Sequence, residues 1–337
     1  MSELLNIKNL SVSFDSEDGE VEAVRQVGFS LKAGETLAIV GESGSGKSVL
    51  CKSIMKMLPA SGRIKQGNIF LNGVDITNYN EKAMQKLRGR VFSMVFQDPM
   101  SSLNPTVSVG NQIAEAVKIH NPAMKKAEVY NRVIELMNLV GIENPKERYK
   151  QYPYNFSGGM RQRSVIAIAL SSAPQILFAD EPTTSLDVTI QAQILDLLCE
   201  TQKKLNMASI FVTHDLGVVA SVADRVAVMY AGRIVEIGTC EEIFYDPRHP
   251  YTWALMRALP CFAQKGKELY TIGGMPPSMI NPPKGDAFAS RNEYALEIDY
   301  EKMPPMFKIT DTHQAATWLL DKRAPKITPP AGGRLNG

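Results

Sequence analysis

A chain of 337 residues with 44% hydrophobic side chains is long enough for two domains, or for one large α/β domain with an appendage, which excludes disorder over most of its length. Its 37 Lys and Arg nearly balance 35 Asp and Glu, and a net charge of +2 excludes a general attraction to nucleic acid. The four cysteines, Cys51, Cys199, Cys240 and Cys261, are too scattered for a zinc site; with no signal-peptide start and no apolar run long enough for a bilayer, a soluble protein with reduced thiols is expected, one that can still dock on a membrane protein.

In chain order, "LLNIKNLSVSF" and "VEAVRQVGFSL" alternate in the manner of β-strands around the turn-like "DSEDGE", and "ETLAIV" is a short continuously apolar strand. The helical "KSVLCKSIMKML" follows and ends at Pro59. From about 108 to 170 the pattern is helical, in "VGNQIAEAVKIH", "AEVYNRVIELMNLV" and "RQRSVIAIALSS", and reads as a helical insertion. Strand-like "QILFAD" and "ASIFVT" then alternate with helical "TIQAQILDLLCETQKKL" and "LGVVASVAD", the order of βαβ units around a parallel sheet, so the core is α/β. After about 245 prolines crowd in, which predicts a C-terminal appendage with a loose tail.

"GESGSGKS" matches G-x-x-x-x-G-K-[ST] directly after a strand and before a helix, the context of a phosphate-binding loop. Gly41, Gly44 and Gly46, with Ser43 and Ser45 between them, let backbone N–H groups converge on phosphate oxygens, aided by the positive helix end. Lys47 is expected to reach the β- and γ-phosphates and Ser48 to ligate Mg²⁺. "QILFAD" delivers Asp180 and Glu181 to the carboxyl edge of the sheet, the edge at which α/β proteins bind ligands. Asp180 would hold Mg²⁺ through its water, and Glu181 would take a proton from the water attacking the γ-phosphate. His214 ends the next strand at the same edge and would contact the γ-phosphate or position the water. Gln97 in "MVFQDP" offers a neutral amide to Mg²⁺ or the water, the other reading being an ordinary loop glutamine.

Ser157, Gly158 and Gly159 in "YNFSGGMRQR" open a helix and make a second anion site from a hydroxyl and free N–H groups. The motif lies toward the far side of the helical insertion, too far along the chain to serve its own phosphates readily, and a site completed by another chain resolves this. The ordered set "GESGSGKS", Gln97, "FSGGMRQR", "ILFADEP", "SLD" and His214 resembles the ATP-binding-cassette ATPases over roughly residues 4 to 245. The resemblance implies a P-loop NTPase cassette with a parallel-sheet core, an N-terminal antiparallel β subdomain and a helical insertion at about 100–170, all within residues 1–250, with residues 251–337 as the appendage. It implies two cassettes paired head to tail, ATP held between one chain's phosphate loop and Ser157, Gly158 and Gly159 of the other, and Ser185 to Asp187 in the loop linking the two sites. It also places Phe14 as an adenine-stacking ring, against a plain reading as a core residue of its strand. Met160 stands where many members have Gln, which is not read as inactivating.

"SLNP", "EPTTSLDVTIQAQI", "VMYAGRIVE" and "FYDPRHPYTWALMRALP" followed by "PPKG" narrow the resemblance to the peptide and nickel importers, and among them to oligopeptide-permease ATPases. That implies hydrolysis of ATP to ADP and phosphate to drive oligopeptide import at the cytoplasmic face of the membrane. The implied partners are a sister ATPase, two membrane permease subunits and, indirectly, an extracellular peptide-binding protein. The weighed alternatives are a nickel or other small-solute importer and a soluble nucleotide-gated switch. Many of the subgroup hold an iron–sulfur cluster on four C-terminal cysteines. The matching positions here are Asp286, Asn292, Asp299 and Thr317, so no cluster is expected, and Asp286 and Asp299 are read as a solvated pair, the alternative being a hard-cation site, in an appendage packed by Phe288, Tyr294, Leu296 and Trp318.

Overall fold

The computed structural model describes residues 3–184, 186–259 and 270–330, so Ser185 and Cys261 of the sequence reading lie outside the described residues. The chain divides into two compact units, each assembled from separated stretches. The phosphate-loop unit takes the described residues up to 31, those of 36–78 and those from 212 onward; the insertion unit takes 32–35 and 79–211.

In the phosphate-loop unit the two N-terminal alternating runs are the strands Glu3–Ser16 and Gly19–Lys32. They belong to a four-stranded sheet in the order Gly19–Lys32, Glu3–Ser16, Gly62–Leu71, Val74–Asp75. Glu3–Ser16 pairs antiparallel with Gly62–Leu71, from Leu5 opposite Leu71 to Phe14 opposite Gly62. The buried set changes phase from Leu5 and Ile7 to Leu10 and Val12 because the register shifts after Lys8, where Asn9 takes a φ of 51°.

A second set of strands in this unit centres on Thr36–Val40, buried at every residue as its unbroken apolar run predicts. It lies parallel to Arg225–Tyr230, with Leu37 opposite Arg225. Arg233–Thr239 continues antiparallel, followed by the short Gln314–Ala315 and Phe307–Lys308. Over these strands pack the helices Leu216–Val222, Cys240–Tyr245 and Pro250–Arg257, in a core that includes Val40, Val228, Tyr230, Tyr251 and Phe288. Fully burying a ring such as Phe288 contributes about 2–3 kcal/mol.

In the insertion unit Phe92–Val95 runs parallel to Ile176–Asp180, with Phe92 opposite Ile176. The helix Val109–His120 buries Val109, Ile113 and Val117, a four-residue spacing that puts them on one face. Lys126–Leu139 buries Val129, Val133, Leu136 and Met137. Gly158–Ala169 packs against both, and against Val188–Leu205, which explains why it is apolar on more than one side. The strand Ala208–Thr213 carries the chain from this unit into the other. No helix among the described residues is long and apolar enough to cross a membrane.

Two expectations need correcting. The helix after the phosphate loop spans Lys47–Ile54 and stops short of Pro59. Lys56 takes a left-handed φ of 52° and the Met57 N–H turns back to Lys52 O at 2.8 Å, an ending that helical periodicity does not encode. Nor are Asp286 and Asp299 solvated, being 5% and 1% exposed. Asp286, Asn292, Asp299 and Thr317 are each buried and cap a local turn. Asp286 accepts from the Phe288 N–H, Asn292 from Tyr294, Asp299 from Leu296 and Thr317 from Leu319. The appendage's aromatic residues pack in separate places, Tyr294 on Trp253 and Trp318 on Phe307, while Phe288 joins the core.

Burial pushes the Asp286 carboxyl up to about 6, with Asp299 adding to the effect and the Phe288 N–H and Arg233 opposing it. The folded chain therefore binds this proton more tightly than the unfolded chain, and stability falls as pH rises from about 4 to about 6. Asp286→Asn keeps an acceptor for the Phe288 N–H and removes the charge. It is expected to raise stability near pH 8 by about 1–2 kcal/mol and to flatten this part of the pH profile in urea denaturation; an unchanged profile would contradict the assignment.

Candidate active site

The phosphate loop leaves the buried strand Thr36–Val40 and enters the helix Lys47–Ile54 through Gly46, whose φ of 100° only glycine adopts without strain. Backbone packing makes the same demand, since a Cβ at Gly46 would stand 2.3 Å from Ala23 O and one at Gly41 2.0 Å from Met229 O. Lys47 is buried, and its Nζ donates to Gly41 O and Glu42 O at 2.8 Å each and to Ser45 Oγ at 3.4 Å. The loop thus curls around its own lysine. Ser45 is buried, Ser48 half-buried, and Ser43 and Gly44 are exposed.

Phe14 and His214 belong to the same unit. Phe14 is half-buried, its ring lying over Gly62 so closely that a Cβ there would meet it at 2.6 Å. His214 is exposed between the strand Ala208–Thr213 and the helix Leu216–Val222. Asp215 fixes that corner by accepting from the Gly217 N–H at 2.7 Å, while its own N–H donates to Thr213 Oγ1 at 3.0 Å. The sequence reading passed over Asp215.

The insertion unit carries the acids. Asp180 is buried at the end of Ile176–Asp180, and Glu181 follows with a φ of 46°. A non-glycine residue in this left-handed region costs on the order of 1–3 kcal/mol, a strain found where geometry serves function. Glu181 Oε2 accepts from Gln97 Nε2 at 3.0 Å and from Thr184 Oγ1 at 2.9 Å. Gln97 and Glu181, read separately from sequence, are therefore joined. Gln162 Nε2 donates to Pro182 O at 2.7 Å and steadies the next turn. Thr184 and Gln162 were missed, because neither stands in a motif that signals its partner.

Ser157 caps the helix Gly158–Ala169, its Oγ accepting from the Met160 N–H at 3.4 Å, and Ser157 and Gly158 are exposed. Gly159 is buried against the next helix, where a Cβ would stand 2.7 Å from Ile190 Cγ2. Asp187 caps that second helix by accepting from the Ile190 N–H at 3.0 Å. The serine–glycine turn and Asp187 are thus brought to one place through Gly159 and Ile190.

In the phosphate-loop unit the glycine-rich loop with Lys47 and the Ser48 hydroxyl has donor chemistry that suits phosphate, and in the insertion unit buried Asp180 and the Glu181–Gln97 pair offer oxygen ligands that suit a hard cation. Comparison with known proteins decides the family. The family model described as "ABC transporter" matches residues 24–184, and that described as "Oligopeptide/dipeptide transporter, C-terminal region" matches residues 235–298. The oligopeptide transport ATP-binding protein OppD of Bacillus subtilis is 57% identical, over 98% of this chain and 92% of that protein. The chain belongs to the ABC-transporter family of oligopeptide and dipeptide transport ATP-binding proteins.

The dipeptide transport ATP-binding protein DppD of Lactococcus lactis is 54% identical over 97% of this chain and 93% of its own length. Among solved structures, cbiO1 from Clostridium perfringens, part of the ABC transporter complex cbiONQ, aligns with a TM-score of 0.62 at 30% identity, covering 72% of this chain and 91% of that one. The dimeric cassette MJ0796 bound to ADP and Pi aligns at 0.63 over 70% of this chain and 98% of that one, and at 24% identity it shows the shared fold. The α/β cassette expected from the sequence is therefore the fold of this family member.

Proposed function

We propose that residues 1–250 form the ATP-hydrolysing cassette of an oligopeptide importer and that residues 251–337 form its C-terminal extension. The activity is conversion of ATP and water to ADP and phosphate, and it energises peptide import. Relatives named for oligopeptide and dipeptide transport favour this over nickel, another small solute or a soluble switch. Gly41 to Ser48 would take the phosphates, with Lys47 neutralising the β- and γ-oxygens and Phe14 stacking on adenine. Ser48, Asp180 and Gln97 would hold Mg²⁺, which when bound draws charge from the γ-phosphate oxygens. His214 would face the γ-phosphate.

The observation that carries the reading is the environment of Glu181. A carboxylate at the end of a buried strand, with one oxygen fixed by Gln97 and Thr184, is oriented as a general base for water. Two cassettes would pair head to tail, with Ser157, Gly158, Gly159 and the Asp187 turn of one chain completing the phosphate site of its sister. The expected assembly adds two permease subunits, fed by an extracellular peptide-binding protein, and puts the chain on the cytoplasmic face of the membrane. The extension is proposed to hold no iron–sulfur cluster, since Asp286, Asn292, Asp299 and Thr317 supply no thiolate. Affinity purification of the tagged chain from solubilised membranes tests this assembly. Recovery of a second cassette and two polytopic proteins is the expected result, and recovery of the chain alone from the soluble fraction would contradict it.

A further inference from the structure

Among the described residues, the C-terminal extension meets the phosphate loop at Glu42. The Glu42 N–H donates to Tyr251 Oη at 2.9 Å. The Glu42 carboxylate takes two bonds from Arg291, Nη1 to Oε2 at 2.7 Å and Nη2 to Oε1 at 2.9 Å. The Glu42 carbonyl is one of the two that hold Lys47 Nζ. Backbone N–H, carbonyl and side chain of a single loop residue are therefore all engaged, two of the three by the extension.

Arg291 is itself fixed. Its Nε donates to Gly273 O at 2.8 Å, and Nη1 also donates to Tyr230 Oη at 3.1 Å. The guanidinium lies 5.7 Å from the centre of the Tyr230 ring and 5.9 Å from that of Phe288. Tyr230, Tyr251 and Phe288 pack on one another with centroids 4.6, 5.2 and 5.3 Å apart. The Arg291 side chain is 4% exposed, so the pair is neither a screened surface bridge nor one that a lysine could reproduce.

We propose that the extension braces the phosphate loop: Arg291 and Tyr251 are positioning residues that hold Glu42, so that the loop is ordered before nucleotide arrives. The proposal goes beyond the cassette's assigned chemistry and rests on reading Gly41 to Ser48 as the phosphate site. A loop residue already fixed loses no backbone freedom on binding, whereas a released one does, and ordering one residue corresponds to roughly a ten-fold change in affinity.

The test is calorimetric titration of the full-length chain with ADP and Mg²⁺, at a temperature where circular dichroism shows each variant folded. Arg291→Ala is expected to raise the Kd for ADP about ten-fold, and Tyr251→Phe about two- to three-fold. Glu42→Gln should weaken binding too, and the double variant Glu42→Gln with Arg291→Ala should bind no more weakly than Arg291→Ala, because the two changes remove one interaction. Should Arg291→Ala fail to fold, Arg291→Lys keeps the charge and loses the paired bonds, and a several-fold rise in Kd is expected from it. A lowered Tm with a Kd within about two-fold of the unsubstituted chain would overturn the brace, as would losses that add in the double variant. Lys47→Ala serves as the reference. Unchanged ADP affinity in that variant would refute the phosphate-site reading, and with it the basis of the brace.

Discussion

Glu181→Gln is expected to lower the rate of ATP hydrolysis by about 10²- to 10⁴-fold while leaving ATP binding intact. The reason lies in what the substitution keeps. Glu181 Oε2 serves as acceptor for both Gln97 and Thr184, and a glutamine carbonyl oxygen can accept the same two bonds. The backbone strain at a φ of 46° is the same for either side chain. The charge and the basicity are lost while these two bonds are kept, so the variant tests proton transfer with the Gln97 and Thr184 contacts in place. Phosphate release measured beside binding of a fluorescent ATP analogue checks this. Undiminished turnover would remove Glu181 as the base, and a parallel loss of binding would recast it as part of the nucleotide pocket.

The largest stability effect is expected at Glu236, a carboxylate with no exposed surface on the strand Arg233–Thr239. Its Oε1 accepts from the Arg248 N–H at 2.6 Å and from His313 Nε2 at 2.8 Å. Its Oε2 accepts from the His249 N–H at 3.0 Å and from the Thr252 hydroxyl at 2.5 Å. One side chain thus ties the strand to the entry of the helix Pro250–Arg257 and to the segment carrying His313. Glu236→Ala would leave two backbone N–H groups, a hydroxyl and an imidazole buried without this acceptor. A loss of about 3–5 kcal/mol in urea denaturation is expected, by analogy with breaking buried ion pairs. A loss below about 1 kcal/mol would mean that water or relaxation replaces the carboxylate.

These two sites mark where the sequence is legible and where it is not. Lys47, Asp180 and Glu181 stand in local patterns that sequence spacing can name, and the strands that lead to them, Thr36–Val40 and Ile176–Asp180, are short apolar runs buried at every residue. Ser157 was readable as opening a helix and Asp187 only as part of a linking loop, whereas their meeting through Gly159 and Ile190 depends on helix packing that no spacing encodes. Arg291 and Glu42 are separated by most of the chain, and neither stands in a pattern that names the other, as with His313 and Glu236. Periodicity reports which face of an element is buried, not which distant residue it meets. Reading Asp286 and Asp299 as solvated followed the usual habit of carboxylates, which turn supply of backbone N–H groups overrode here.

Uptake of labelled oligopeptides and of Ni²⁺ by cells whose sole copy of this protein is either unsubstituted or Glu181→Gln tests the central claim most directly, that hydrolysis at Glu181 powers peptide import. Loss of peptide uptake with Ni²⁺ uptake spared is the predicted result; peptide uptake undiminished in the variant would contradict it.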